Sequence, residues 1–247
     1  MRYFIELSYN GSAYHGWQNQ PNAITVQEVT EKALSTLLKT PISVMGAGRT
    51  DTGVHAKQMF AHFDSENNLS ANDLIFKLNS FLPNDVVIHD IFKVKDDAHS
   101  RFDAISRTYL YRIALEKNAF TNDNTFYMRQ SLDVEKMKEA AKILFQYKDF
   151  QCFSKSNTDV KTYHCNIMKA EWVLVNKELQ FTIKADRFLR NMVRAIVGTL
   201  INIGLGKIAV DDLHTIIKSK SRSEAGFSVP AQALYLIAVE YPNDITI

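Results

Sequence analysis

The chain has 247 residues, with 29 Lys and Arg against 27 Asp and Glu, a formal charge of +2 with histidine neutral. This near-balance excludes a uniformly basic nucleic-acid domain and an acidic solvating tail. With 46% apolar and 23% charged residues, a disordered polyelectrolyte is excluded too. Any positive field must therefore be local. A chain this long buries roughly 70–75% of its unfolded surface without needing disulfides or a structural metal, and length gives a prior of one to two domains. Cys152 and Cys165 form no C-x-x-C, and the seven histidines offer no H-E-x-x-H and no i, i+4 pair. Two reduced thiols and no metal site are expected. Met1–Glu6 lacks the apolar run of a signal peptide, and no stretch approaches the ~18 apolar residues of a membrane span. The expectation is a soluble, cytoplasmic protein.

In chain order, residues 2–9 alternate like a half-buried strand, and an aromatic loop, Tyr14-His15-Gly16-Trp17, follows. Thr25-Val26-Gln27-Glu28 reads as a capping box for a helix with Val26, Val29, Ala33, Leu34, Leu37 and Leu38 on one face, ended by Pro41. A strand is expected over 42–47, another over 59–63, a helix from Ser70 through Phe81, and a strand over 86–94. Residues 108–115 alternate, with Tyr109, Tyr111 and Ile113 on one face. The polar stretch 116–124 reads as a linker or mobile loop. Then come a helix over 133–145, a hairpin of 169–175 and 178–185 about Asn176-Lys177, helices over 187–203 and 211–218, and a closing strand over 234–241. Gly204 and Gly206 are read as the stop of the long helix.

The segment Gly46–His55 carries the strongest chemical signal. Three glycines surround one guanidinium, Arg49, and one carboxylate, Asp51. Asp at position 51 breaks a G-x-G-x-x-G pattern, and a carboxylate there would repel phosphate. Taken alone, the segment reads as well as a tight turn in which Asp51 caps its own backbone.

It does not stand alone. Tyr9-Asn10-Gly11 with Tyr14-His15-Gly16-Trp17-Gln18, then Gly48–His55, His99–Phe102 through Arg107–Tyr111, Phe188–Arg194 with Ile196-Val197-Gly198, and Ala231 through Leu234-Tyr235-Leu236 occur in that order. Together these five blocks, spanning the whole chain, resemble the TruA-type tRNA pseudouridine synthases. Asn10 stands where Asp is common in that family, Thr52 where Ala is common and Ala233 where Gly is common.

The resemblance implies an α+β fold of two ferredoxin-like (RRM-like) halves sharing a central mixed, mostly antiparallel sheet, with helices on one side and a cleft between the halves. The short β-α-β-β-α-β units agree with it. An N-terminal subdomain of residues 1–105 would carry the catalytic aspartate and a C-terminal subdomain would span 106–247. The implied activity is isomerisation of uridine to pseudouridine at positions 38, 39 and 40 of the tRNA anticodon arm, by a homodimer without cofactor or metal. Breaking a C–N glycosidic bond and forming a C–C bond needs a nucleophile that can attack and leave, a task a carboxylate can perform. By resemblance, Asp51 is that nucleophile and Arg194 its ionic partner. Tyr109 stacks on the target base and Leu234 walls the pocket. Arg49 is assigned to base displacement, which offsets part of the few kcal/mol of unstacking.

The local positive field is sought at residues 184–222, where eight Lys and Arg face three acids. Arg187 and Arg190 there, and Arg101 and Arg107 elsewhere, are the expected RNA-binding residues. Trp17 is left open between core and RNA. Two rivals remain: a non-catalytic RNA-binding module on the same scaffold, and a glycosidase-like hydrolase. The latter would need a second carboxylate at ~5–9 Å, which the Asp51 segment does not offer.

Overall fold

The computed structural model describes residues 1–156 and 160–246. It is α+β, with five α-helices and nine strands among the described residues. Contacts divide the chain into two compact units, Met1–Ile105 with the segment from Tyr235 onward, and Ser106–Leu234. The sequence reading kept everything after 105 in the second half. Instead the last strand from Tyr235 onward groups with the first unit, where its backbone pairs with the strand His55–Asp64.

In the first unit, β1 (Arg2–Tyr9) lies between β3 (His55–Asp64) and β4 (Val86–Val94), antiparallel to both. The short β2 (Met45–Gly46) pairs antiparallel with β3, and β9 (Leu234–Glu240) joins β3 in parallel through His55↔Tyr235 and Ala56↔Leu236. Expected as a half-buried strand, β1 is buried on both faces over Tyr3, Phe4 and Ile5. Tyr3 stacks on Phe63 from one side, while Phe4 meets Phe92 and the edge of Tyr241 from the other. Strand β2 is shorter than expected, and β3 begins four residues earlier, directly after the Gly-rich segment.

Helix α1 (Val26–Leu38) starts where the capping pattern predicts, with the Thr25 side chain accepting from the Glu28 N–H. It ends on Lys39 in the left-handed conformation, before Pro41. Helix α2 (Ala71–Phe81) buries Leu74 and Leu78.

The second unit is built on β5 (Ser106–Ala114), β7 (Ile167–Val175) and β8 (Glu178–Ala185), antiparallel in the order β5-β8-β7, with the two-residue β6 (Phe126–Tyr127) parallel to β5. The β7–β8 turn places Asn176 and Lys177 both at positive φ, the primed-turn geometry that matches strand twist. Helix α3 (Val134–Ile143) is capped by Asp133 and tightens into a 3-10 turn over Leu144–Gln146. Helices α4 (Met192–Gly204) and α5 (Asp212–Ser219) complete the unit. The expected start of α4 at 187 is corrected to 192. Asn191 sits at φ 67, which breaks helical continuity, and its amide donates to Ser228 Oγ at 2.7 Å. The helix ends on Gly204, as expected, and a Cβ there would fall 2.5 Å from Met137 Sδ on α3. Gly206, at φ +69, makes the turn after the helix. No helix among the described residues is long and apolar enough to cross a membrane.

Candidate active site

Asp51 lies half-buried in the loop between β2 and β3. This loop is laid against the aromatic loop that follows β1, backbone to backbone. Tyr9 Oη and Thr50 Oγ1 are 2.9 Å apart, and Trp17 N–H donates to Thr50 O at 3.3 Å. Gly53 N–H donates to Tyr14 O at 3.3 Å, and Val54 N–H closes the turn onto Asp51 O at 3.1 Å. Such approach requires glycine. A Cβ on Gly16, whose φ is +85, would stand 2.2 Å from Thr50 O, and one on Gly11 would stand 2.0 Å from Val54 O. The aromatic block of the sequence is therefore the bed on which the Asp51 loop is cast.

Three side chains anchor that bed. Trp17 is 2% exposed, so it belongs to the core, and its indole occupies the space a Cβ on Gly46 would need. Tyr14 Oη donates to Asp85 Oδ1 at 2.6 Å, and burial with this bond raises the phenol above its ordinary value, keeping it a neutral donor. Asn10 Oδ1 accepts from Ser12 N–H at 3.0 Å, an acceptor role that aspartate would fill equally. Arg49 is exposed beside Asp51.

In the second unit, burial on β5 separates two tyrosines that alternation places on the same face. Tyr111 is fully buried and its hydroxyl donates to Pro230 O at 3.0 Å, a core role. Tyr109 stays half-buried, its ring edge-on to Phe188 with centroids 5.2 Å apart. Arg194, in the first turn of α4, donates from Nε to Val229 O at 2.7 Å, while Arg194 O accepts from Val229 N–H at 3.3 Å. The guanidinium is thus fixed by the backbone of the segment leading to Leu234, which is 5% exposed. Ala233 is buried in the single 3-10 turn before Leu234.

A family model described as tRNA pseudouridine synthase matches residues 7–103 and 140–242. The chain belongs to the tRNA pseudouridine synthase family. It is 52% identical over 246 residues to a protein of Bacteroides fragilis named tRNA pseudouridine synthase A, covering 99% of this chain and 98% of that one. A Porphyromonas gingivalis protein of the same name is 51% identical over 248 residues, with the same coverage, and one from a Thermoanaerobacter species is 41% identical over 244 residues, covering 96% and 98%.

Within this pseudouridine synthase, the basic residues divide by what they already hold. Arg112 forms a two-pronged ion pair with Glu178 at 2.9 and 2.7 Å, and Lys220 pairs with Asp149 at 2.8 Å. Arg222 donates to Gly226 O and Ser228 Oγ, and Arg107 to Asp186 O at 2.9 Å. Arg187 is half-buried, whereas Arg101 and Arg190 are exposed. Arg190 lies in the turn before α4, outside the helix that was expected to begin at 187. The sequence reading missed His55, which is 3% exposed and accepts from Gly11 N–H. Its place at the end of the Gly-rich block was the available signal.

Proposed function

We propose that the uridines this tRNA isomerase converts are those at positions 38, 39 and 40 of the anticodon arm, with Asp51 as nucleophile. The observation that carries this reading is the half-buried carboxylate held on a hydrogen-bonded Gly-rich loop, a mount that fixes a reactive group in one geometry. The glycosidic C1′–N1 bond breaks, C1′ bonds to C5, the C5 hydrogen leaves to solvent, and N1 ends protonated. No redox step enters. Arg194 is proposed to pair with Asp51, so that the carboxylate stays ionised when substrate expels water. Tyr109 and Leu234 are proposed to hold the displaced base by stacking and apolar contact, which for an aromatic is worth ~1–3 kcal/mol. Arg49 is proposed to fill the space the base leaves. Arg101, Arg107, Arg187 and Arg190 are proposed as phosphate contacts.

The ferredoxin-like reading of each half belongs to the same proposal, supported in the first unit by the order β4-β1-β3-β2. A cytoplasmic homodimer is proposed, for which light scattering is expected to give twice the chain mass.

Tritium release from tRNA carrying [5-³H]uridine tests the reaction. Wild-type protein is expected to release it, and Asp51→Asn and Arg194→Ala to lose release almost completely while still binding tRNA. Binding without release by the wild type would favour the RNA-binding module instead. Mapping pseudouridine in tRNA from cells lacking this protein tests the three positions.

A further inference from the structure

The imidazole of His55 takes no part in the chemistry above, yet it is 3% exposed and sits four residues after Asp51, where the loop enters β3. Its Nδ1 lies 3.1 Å from the backbone N of Gly11. A backbone N–H can only donate, so Nδ1 carries a lone pair there and the ring is held in the Nε2–H form or an equivalent acceptor state. The ring lies flat against Tyr235 on β9, with centroids 4.7 Å apart and planes 21° from parallel, in the register that pairs His55 with Tyr235.

We propose that His55 is a positioning residue for the nucleophile. Its Nδ1 pins the C-terminal end of the Asp51 loop to Gly11, as Thr50, bonded to Tyr9 and to Trp17 N–H, pins the N-terminal end. Asp51 is then suspended between two fixed points on one rigid bed. The Gly11 contact explains a further constraint at that residue, because its amide meets the imidazole while its α-carbon meets Val54 O with no room for a side chain. Without the acceptor, the buried Gly11 N–H loses its partner and the loop's C-terminal end is released. Displacing a reacting group by about 1 Å costs on the order of 100-fold in rate. The proposal rests on the reading of Asp51 as nucleophile.

Three variants separate the acceptor from the volume. In His55→Asn the amide oxygen falls where Nδ1 lies, in His55→Gln the amide is carried one carbon farther, and His55→Ala has no acceptor. For tritium release, kcat is expected to fall about 100-fold in His55→Ala and His55→Gln with KM for tRNA little changed, and to stay within about threefold of wild type in His55→Asn. A wild-type kcat in His55→Ala, or an Asn variant as slow as the Ala variant, would overturn the proposal. Should the variants not fold, ¹⁵N NMR of the intact wild type decides: coupling across the hydrogen bond between Gly11 N and His55 Nδ1 is expected, and its absence would sink the idea. A wild type that releases no tritium would refute the isomerase reading itself, while the coupling would still report on the clamp.

Discussion

His62 is a second histidine on β3, 8% exposed, with its Nδ1 accepting from Ser100 N–H at 3.1 Å. Burial is the main cause that lowers its pKa from 6.5 to about 4; the Arg2 guanidinium and His99 act in the same direction, and Asp64 and Asp103 oppose them. The unfolded chain therefore takes up a proton near pH 6.5 that the folded one refuses until about 4. Stability from this group is fully present above pH 6.5 and is lost as pH falls toward 4, with a slope of up to about 1.4 kcal/mol per pH unit for one proton. Asp64, held below the usual carboxylate range chiefly by its hydrogen bond to Arg2, loses stability in acid as well. Urea midpoints measured from pH 7 to 4 are expected to show a shallower decline in His62→Asn than in wild type. Equal slopes would assign the acid loss to groups other than His62. Burial also separates residues that sequence pattern left equal: Tyr111 and Trp17 are core while Tyr109 stays half-open. Spacing cannot show this, because the layer that covers each ring comes from distant segments.

At the level of elements, α4 and the segment before β9 depend on two glycines. A Cβ on Gly198 would lie 1.8 Å from Phe227 O, and one on Gly226 would lie 2.6 Å from Thr199 N. Thr199 Oγ1 bridges the two, accepting from Gly226 N–H and donating to Ala195 O, both at 2.8 Å. This backbone contact is what brings Val229 to Arg194. Gly198→Ala is expected to cost about 3 kcal/mol, since carbonyl backbone must move. Gly48→Ala, whose Cβ would meet nothing within 4 Å, should stay within about 0.5 kcal/mol of wild type. Urea denaturation of both variants checks the contrast; equal losses would show that close approach is not the cause. Most elements were legible from pattern, including α1 with its Thr25 cap, β4 and the Asn176-Lys177 hairpin. The start of α4 was not, because Leu189, Met192 and Val193 continue a helical stripe and only the left-handed Asn191 interrupts it.

For the whole molecule, the net charge of +2 hides a division of labour. Arg112, Lys220 and Arg222 already satisfy carboxylates or carbonyls within the fold. Arg190, exposed, and Arg187, half-buried, are among the residues proposed above as phosphate contacts. Affinity for tRNA is expected to fall steeply with salt, and Arg187→Ala and Arg190→Ala each to reduce the slope of log K against log salt by about 1. Arg112→Ala should leave that slope alone and lower stability, because Glu178 would lose its partner. Filter binding across a salt series reads both; an unchanged slope in the first two variants would remove them from the RNA surface.

By itself the sequence determined the family, the order of most elements and the identity of the Asp51 loop, because glycines, caps and turn residues act over a few positions. Only tertiary structure decided that the last strand joins the first unit, that the aromatic block is the bed of the Asp51 loop, and that His55 meets Gly11 across 44 positions. Those contacts follow from backbone approach and burial between remote segments, which no local pattern encodes.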